Sequence, residues 1–256
     1  MTPWVGVVVP AHDEEELLAD CLAGLRAAAG AVRDRARVAV LVVADACSDR
    51  TEAIARRHHV GVRRLAARNV GRARAAGAAT LLARRIPPVW LATTDADSVV
   101  PRDWLSAQLA ARDAGADAWV GTVAVTDWAG LPHPVRHHYR AAYDDGGSGD
   151  AHRHVHGASL GIAAEAYRAV GGFPPRATAE DVALVAALDR GGYRVLRDRA
   201  HPVVTSARTD GRAPDGFAGH LRALTRHVMP ASPGSPPSTP LEPAAGSRER
   251  PDRARD

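Results

Sequence analysis

Unbroken apolar runs alternate with stretches whose apolar residues recur at helical spacing through the first half of the chain. The first run, Trp4-Val5-Gly6-Val7-Val8-Val9, stops at Pro10. Glu14, Leu17, Leu18, Leu22 and Leu25 follow, three or four residues apart for the most part, so a strand leads into a helix. The alternation returns three times: Val38 to Ala44 with a helix from about Thr51, Val60 to Leu65 with a helix from about Gly71, and Val89 to Thr94 with a helix opening at Pro101. Proline suits a first helical turn. Strands covered on both faces need continuous apolar runs, whereas half-exposed strands alternate. Residues 1–115 therefore predict a doubly wound α/β half, a single, mostly parallel sheet with helices on both faces.

Beyond Trp119 the pattern changes. A strand runs to Val125, a Gly/His/Asp-rich stretch extends from about Trp128 to His156, and helices follow near Ala163–Val170 and Glu180–Asp189. A further strand holds Tyr193 to Leu196. Long polar stretches inside a compact body tend to be functional loops. The last 28 residues, from Met229, contain seven of the 18 prolines and no apolar period, which predicts a disordered tail, 229–256. The expected organisation is one domain over 1–228, with a nucleotide-binding half (1–115) and an acceptor half (116–228).

Composition changes this picture little. Of 256 residues, 46% are hydrophobic and 24% charged, ordinary for a globular protein. Two cysteines, Cys21 and Cys47, are too few for a disulfide framework and favour a reducing compartment. No apolar run approaches the ~20 residues of a membrane helix, so the expectation is a soluble, cytoplasmic protein. The net charge of +4 comes entirely from arginine over Asp and Glu, with no lysine, and the cations are scattered among acids. Nucleic acid is thereby disfavoured as a partner.

In a doubly wound sheet, ligands sit beyond the carboxyl ends of the strands. Those ends carry Pro10-Ala11-His12-Asp13-Glu14-Glu15, Asp45-Ala46-Cys47-Ser48-Asp49-Arg50-Thr51, Asn69-Val70-Gly71 and Asp95-Ala96-Asp97. Two carboxylates one residue apart at a strand end can hold a hard cation together with substrate phosphates. The structural alternative for Asp95 is a helix cap before Pro101, and for Ser48, Asp49 or Thr51 a cap of the second helix. Asp45, which precedes that turn, is harder to explain as a cap.

Five segments in order, Val-Val-Pro-Ala-His-Asp-Glu-Glu (8–15), Ala-Asp-Ala-Cys-Ser-Asp-Arg-Thr (44–51), Thr-Asp-Ala-Asp (94–97), Val-Gly-Gly-Phe-Pro (170–174) and Ala-Glu-Asp-Val-Ala-Leu (179–184), resemble the successive motifs of family 2 glycosyltransferases over about residues 5–200. The resemblance implies a GT-A fold, a nucleoside diphosphate sugar donor and Mg²⁺ or Mn²⁺. It implies that Pro10, Ala11, Asp13, Glu14 and Asp45 line the base and ribose pocket, Asp45 accepting a hydrogen bond from the base. Asn69 and Gly71, with Arg72 or Arg74 near the helix start, would contact the donor. Asp95 would face the ribose or sugar, and Asp97 would bind the metal that bridges the diphosphate. His201 would complete the metal sphere beside Asp95 and Asp97. Asp181, paired with Glu180, matches the catalytic base.

The segment 69–77 departs from the family pattern in lacking a second asparagine. The absence of a Gln-x-x-Arg-Trp motif argues against a processive synthase. His152, His154 and His156 alternate, so a strand would project them to one side, suiting zinc or an acceptor surface; exposed loop polarity is the simpler reading. Arg208 and Arg212 could clamp a diphosphate or an acidic acceptor, or be solvated surface residues. The expected function is non-processive, metal-dependent transfer of a hexose from a nucleoside diphosphate sugar, UDP-sugar favoured, to a small hydroxyl acceptor with inversion. Two alternatives stay open: a retaining enzyme of the phosphoglycerate-glycosylating type, and a nucleotide-sugar-binding module without transferase activity.

Overall fold

Each unbroken apolar run forms a strand, and the side chains of one run serve both faces of the sheet. The computed structural model describes residues 2–128, 130–144, 152–208 and 217–229. In chain order the elements are β1 (Trp4–Ala11), α1 (Leu18–Ala31), β2 (Arg37–Asp45), α2 (Thr51–Arg57), β3 (Gly61–Leu65), α3 (Val70–Leu82), β4 (Trp90–Thr93), β5 (Ser98–Val99), α4 (Trp104–Asp113) and β6 (Ala118–Ala124). They continue with α5 (His133–Asp144), β7 (Leu160–Ala163), α6 (Ala164–Ala169), α7 (Glu180–Arg190), β8 (Val195–Thr205) and α8 (Phe217–Val228). The eight strands form one sheet in the order β3-β2-β1-β4-β7-β6-β8-β5. β1 pairs in parallel with β2 and β4, and β2 with β3. β7 then runs antiparallel between β4 and β6, β8 parallel to β6, and β5 antiparallel at the far edge.

The period of two along β1 sorts its valines. Val5, Val7 and Val9 join Leu18, Leu22 and Leu25 of α1 and Trp104, Leu105 and Leu109 of α4 on one face. Val8 joins Ala73, Ala78 and Leu81 of α3 and Leu184, Val185 and Leu188 of α7 on the other. Burying one such side chain fully is worth roughly 1.5–3 kcal/mol. A third cluster lies off the sheet, where Trp128, Leu131, Val135 and Tyr139 pack with Leu221 of α8.

Three details differ from the sequence reading. α4 begins at Trp104 rather than Pro101, because Ser98 and Val99 pair with Thr205 and Val204 of β8. The polar stretch 128–156 contains α5, and the strand expected around Tyr193–Leu196 extends to Thr205. The tail from Pro230 onwards and Arg212 lie outside the described residues. Among the described residues no helix is long and apolar enough to cross a membrane.

Candidate active site

The carboxyl ends of β1, β2 and β4 open into a cavity of about 850 Å³, closed opposite by α5, the segment 154–158 and the start of α7. That size fits a cofactor- or nucleotide-sized ligand. Six carboxylates line it, from Glu14, Asp45, Asp95, Asp97, Glu180 and Asp181, against three arginines, Arg68, Arg74 and Arg208. An anionic ligand entering this cavity would need additional positive charge.

Asp95 and Asp97 lie just beyond β4. Arg74, projecting from α3 and only 3% exposed, is held by ion pairs to both Asp95 and Glu180. Glycine at 157 makes room for it: a Cβ there would fall 2.3 Å from Arg74 Nη2. Asp95 does not cap a helix; its carbonyl receives Ser98 N–H at 3.2 Å, turning the chain into β5. Asp97 contacts Arg208, whose Nη2 lies 2.9 Å from Asp97 Oδ2. Burial, then the neighbouring Asp95 charge, push the Asp97 carboxyl up to about 6. Arg208 also donates to both oxygens of the buried Glu14, at 2.7 and 2.5 Å.

The implied base pocket is only partly assembled as expected. Pro10, Ala11, Glu14, Asp45 and Asn69 line the cavity, as does His12, whose Nδ1 sits 2.7 Å from the Asp45 carbonyl oxygen. Asp45 is already engaged: its carboxylate accepts the backbone N–H groups of Ala67, Arg68 and Asn69 at 2.6, 2.9 and 2.8 Å. It moulds the β3–α3 loop while keeping one of its roughly four acceptor positions, on Oδ2, unused by these three bonds. Asn69 caps α3, its side chain accepting from Arg72 N–H at 2.9 Å. Gly71 is not on the cavity wall. A Cβ there would fall 2.4 Å from the Pro174 carbonyl oxygen, and its N–H donates to Arg176 O at 3.0 Å, so α3 packs tightly on the 170–176 segment.

Asp13 also lies off the cavity wall. Its carboxylate receives Ser48 N–H at 2.7 Å, and that bond holds it below the ordinary carboxylate range. Asp13, Cys47 and Asp49 bring ligand atoms within 4.8 Å of one another, the one such group among the described residues. Both carboxylates there accept backbone N–H groups, Asp49 from Glu15 and Thr51, and burial raises the Cys47 thiol, so the group braces two loops together.

His201 does not join Asp95 and Asp97. Its Nδ1 lies 2.9 Å from Asp198 Oδ2 and its Nε2 3.7 Å from Asp103, away from the cavity wall. Oxygen donors alone remain at the D-x-D pair, which is the donor set that hard Mg²⁺ or Mn²⁺ prefers. With Asp97 destabilised as an anion, the pair fits a divalent cation.

On the opposite wall, Asp181 stands in the first turn of α7. Its Oδ2 accepts Gly157 N–H at 2.6 Å and its Oδ1 accepts Val182 N–H at 2.7 Å. His152, His154 and His156 do face one side, though neither as loose polar loop nor as a zinc site. Their rings stack successively, 6.0 and 5.9 Å apart, and His154 lies flat on Tyr143 at 4.0 Å. Tyr143 accepts Val123 N–H at 3.0 Å. Tyr139, Tyr143, His154 and His156 line the cavity; the two tyrosines escaped the sequence reading because α5 was not foreseen, whereas the alternating histidines already suggest an acceptor surface.

The sequence profile described as "Glycosyl transferase family 2" matches residues 6–166. No curated protein matches the chain in sequence. Among solved structures, S. aureus TarS 1–349 in complex with UDP-GlcNAc aligns with TM-score 0.62 at 14% identity, over 88% of this chain and 65% of that one. The mannosyltransferase PcManGT from Pyrobaculum calidifontis, in complex with GDP-Man and Mn²⁺, aligns with TM-score 0.61 at 20% identity, over 90% and 62%. Glucosyl-3-phosphoglycerate synthase from Mycobacterium tuberculosis, with Mn²⁺, UDP and glucosyl-3-phosphoglycerate, aligns with TM-score 0.59 at 16% identity, over 89% and 77%. The chain spans less than two thirds of the first two, and the likeness establishes a GT-A fold.

Proposed function

The chain belongs to glycosyl transferase family 2, and from that premise we propose that it moves a hexose from a nucleoside diphosphate sugar, UDP-sugar favoured, to a hydroxyl acceptor with inversion. The observation that carries this reading is that Asp95, Asp97 and Asp181 line one cavity from opposite walls. The nucleotides bound by the structural neighbours, UDP-GlcNAc, GDP-Man and UDP, support the donor class. Asp95 and Asp97 would hold Mg²⁺ or Mn²⁺, whose charge would stabilise the departing diphosphate. The transferase domain would comprise residues 1–228, with 229–256 appended to it.

The residues divide the work as follows. Asp45 moulds the loop 67–69, so that the base and ribose rest against Pro10, Ala11 and Asn69 with Arg68 nearby. Arg74, fixed by Glu180, holds Asp95 in place. The Tyr/His wall bounds the acceptor. An acceptor hydroxyl is a poor nucleophile until its proton is removed, and Asp181 takes that proton as the oxygen bonds to the anomeric carbon. The bond from that carbon to the diphosphate oxygen breaks in the same step, its electron pair leaving with the nucleotide. A carboxylate has about four acceptor positions, so Asp181 can keep its two backbone bonds and still receive a hydroxyl.

Asp181→Asn decides the matter. Its one remaining oxygen can accept only one of the two backbone N–H groups, so the variant should melt somewhat lower yet fold and still bind UDP and Mn²⁺. Transfer should slow by roughly 10²–10⁴. Wild-type turnover would remove Asp181 as the base, and retention of anomeric configuration in the product would remove inversion.

A further inference from the structure

Two arginines serve the D-x-D carboxylates, and their settings differ. Arg74, paired with Asp95, is enclosed by Glu180, Thr93 and Gly157 and is 3% exposed. Arg208, paired with Asp97, has a side chain 24% exposed and lines the cavity. It leaves the end of β8, grips both oxygens of Glu14 and touches Asp97 with the same Nη2. Arg208 is thus the cation that offsets Asp97 and Glu14. A divalent ion on the Asp97 carboxylate competes with a guanidinium at hydrogen-bond distance, because two positive charges a few ångströms apart in a poorly solvated site repel strongly.

We propose that Arg208 is a resident counter-ion, displaced from Asp97 when a divalent cation binds there and thereby freed to pair with the donor diphosphate. This inference rests on the reading of Asp97 as a metal ligand. Guanidinium geometry suits both states, since its fork matches carboxylate and phosphate oxygens alike. The exchange couples the two ligands: metal binding releases the diphosphate's partner, and a diphosphate that captures Arg208 vacates the metal's ligand. Such coupling is reciprocal by thermodynamic necessity.

The consequence has opposite signs for the two ligands, which separates it from simpler roles. A purely structural arginine would weaken both metal and nucleotide binding when removed. A plain phosphate clamp would leave binding of metal alone unchanged. Removal of a displaceable counter-ion tightens metal binding and weakens nucleotide binding.

The test measures Mn²⁺ binding without nucleotide, by the EPR signal of the free ion, for wild type, Arg208→Gln, Arg208→Lys and Asp97→Asn. UDP affinity at saturating Mn²⁺ is measured alongside. Arg208→Gln should bind Mn²⁺ roughly tenfold more tightly than wild type, a usual size for coupled sites, and UDP at least tenfold more weakly. Arg208→Lys, which keeps the charge and loses the fork, should lie between and carries the decision if the glutamine variant does not fold. In EDTA the melting temperature of Arg208→Gln should fall, and Mn²⁺ should raise it more than it raises that of wild type. Unchanged, weaker or undetectable Mn²⁺ binding in both Arg208 variants overturns the proposal. Mn²⁺ binding by Asp97→Asn equal to wild type would instead overturn the metal assignment beneath it.

Discussion

At the scale of single residues, the cavity stores unfavourable electrostatics that a ligand would relieve. Asp97 holds its proton up to about 6, against an ordinary value of 3.8, chiefly because of burial. The folded chain therefore binds that proton more tightly than the unfolded chain does. Its contribution to stability is most favourable below pH 4, declines between about 4 and 6, and is lost above 6. In EDTA, Asp97→Asn should melt higher than wild type at pH 7, with the difference shrinking to nothing as the pH falls to 4. One pKa unit is worth about 1.4 kcal/mol, which caps the gain near ~3 kcal/mol, the opposing charge of Arg208 being already contained in the shift. A flat difference between the two melting curves across this range would refute the assignment of strain to Asp97. Gly157→Ala tests the opposite case, a residue needed for room. Its methyl would strike the Arg74 guanidinium, so stability should drop by ~1–3 kcal/mol. UDP binding should weaken too as Asp95 loses its fixed partner, and calorimetry that finds donor affinity intact would separate Arg74 from the donor site.

At the scale of elements, four of the five non-glycine residues with left-handed backbones among the described residues stand at the loops around the cavity: Asp13 after β1, Ala46 after β2, Arg68 after β3 and Ala179 before α7. Alanine has no polar side chain to compensate for that conformation, which costs ~1–2 kcal/mol. Ala46→Gly should remove the strain at φ +54° and, after the larger entropy of the unfolded glycine chain, stabilise the protein by ~0.5–1 kcal/mol in denaturant titration. Destabilisation would mean that the β2–α2 turn is held by contacts of the Ala46 methyl.

These elements were legible where their cause is local. The β1, β2, β3 and β4 runs carry their own apolar signal, and the D-x-D pair falls where the run before it ends. What was hidden depends on partners far along the chain. Pro101 promised a helix start because nothing nearby reveals that Ser98 pairs with Thr205. Within α5 Val135 and Tyr139 are buried at helical spacing, among His and Arg residues that read as loop. That Asp45 also moulds the loop 67–69 was hidden because its three backbone donors lie 22 to 24 residues downstream. The partner of Glu14 is 194 residues away.

At the scale of the whole molecule, α5 and α8 form a layer outside the sheet, built on Trp128, Leu131, Val135 and Leu221. Ending the chain at Met229 should leave the melting temperature unchanged, whereas ending it at residue 208 should uncover that cluster, lower the melting temperature and promote aggregation. Equal melting of the two shortened chains would show that α8 contributes nothing to the body. The sheet itself interleaves the two halves read from the sequence. β5, from the first half, bonds to β8 of the second, and β7 of the second half lies against β4 of the first. A polypeptide cut at 115/116 would therefore leave two fragments, each with exposed strand edges that only the other can satisfy. Expressed separately they should be insoluble; expressed together they should reassemble by strand complementation, and the donor cavity would serve as the reporter of their reunion.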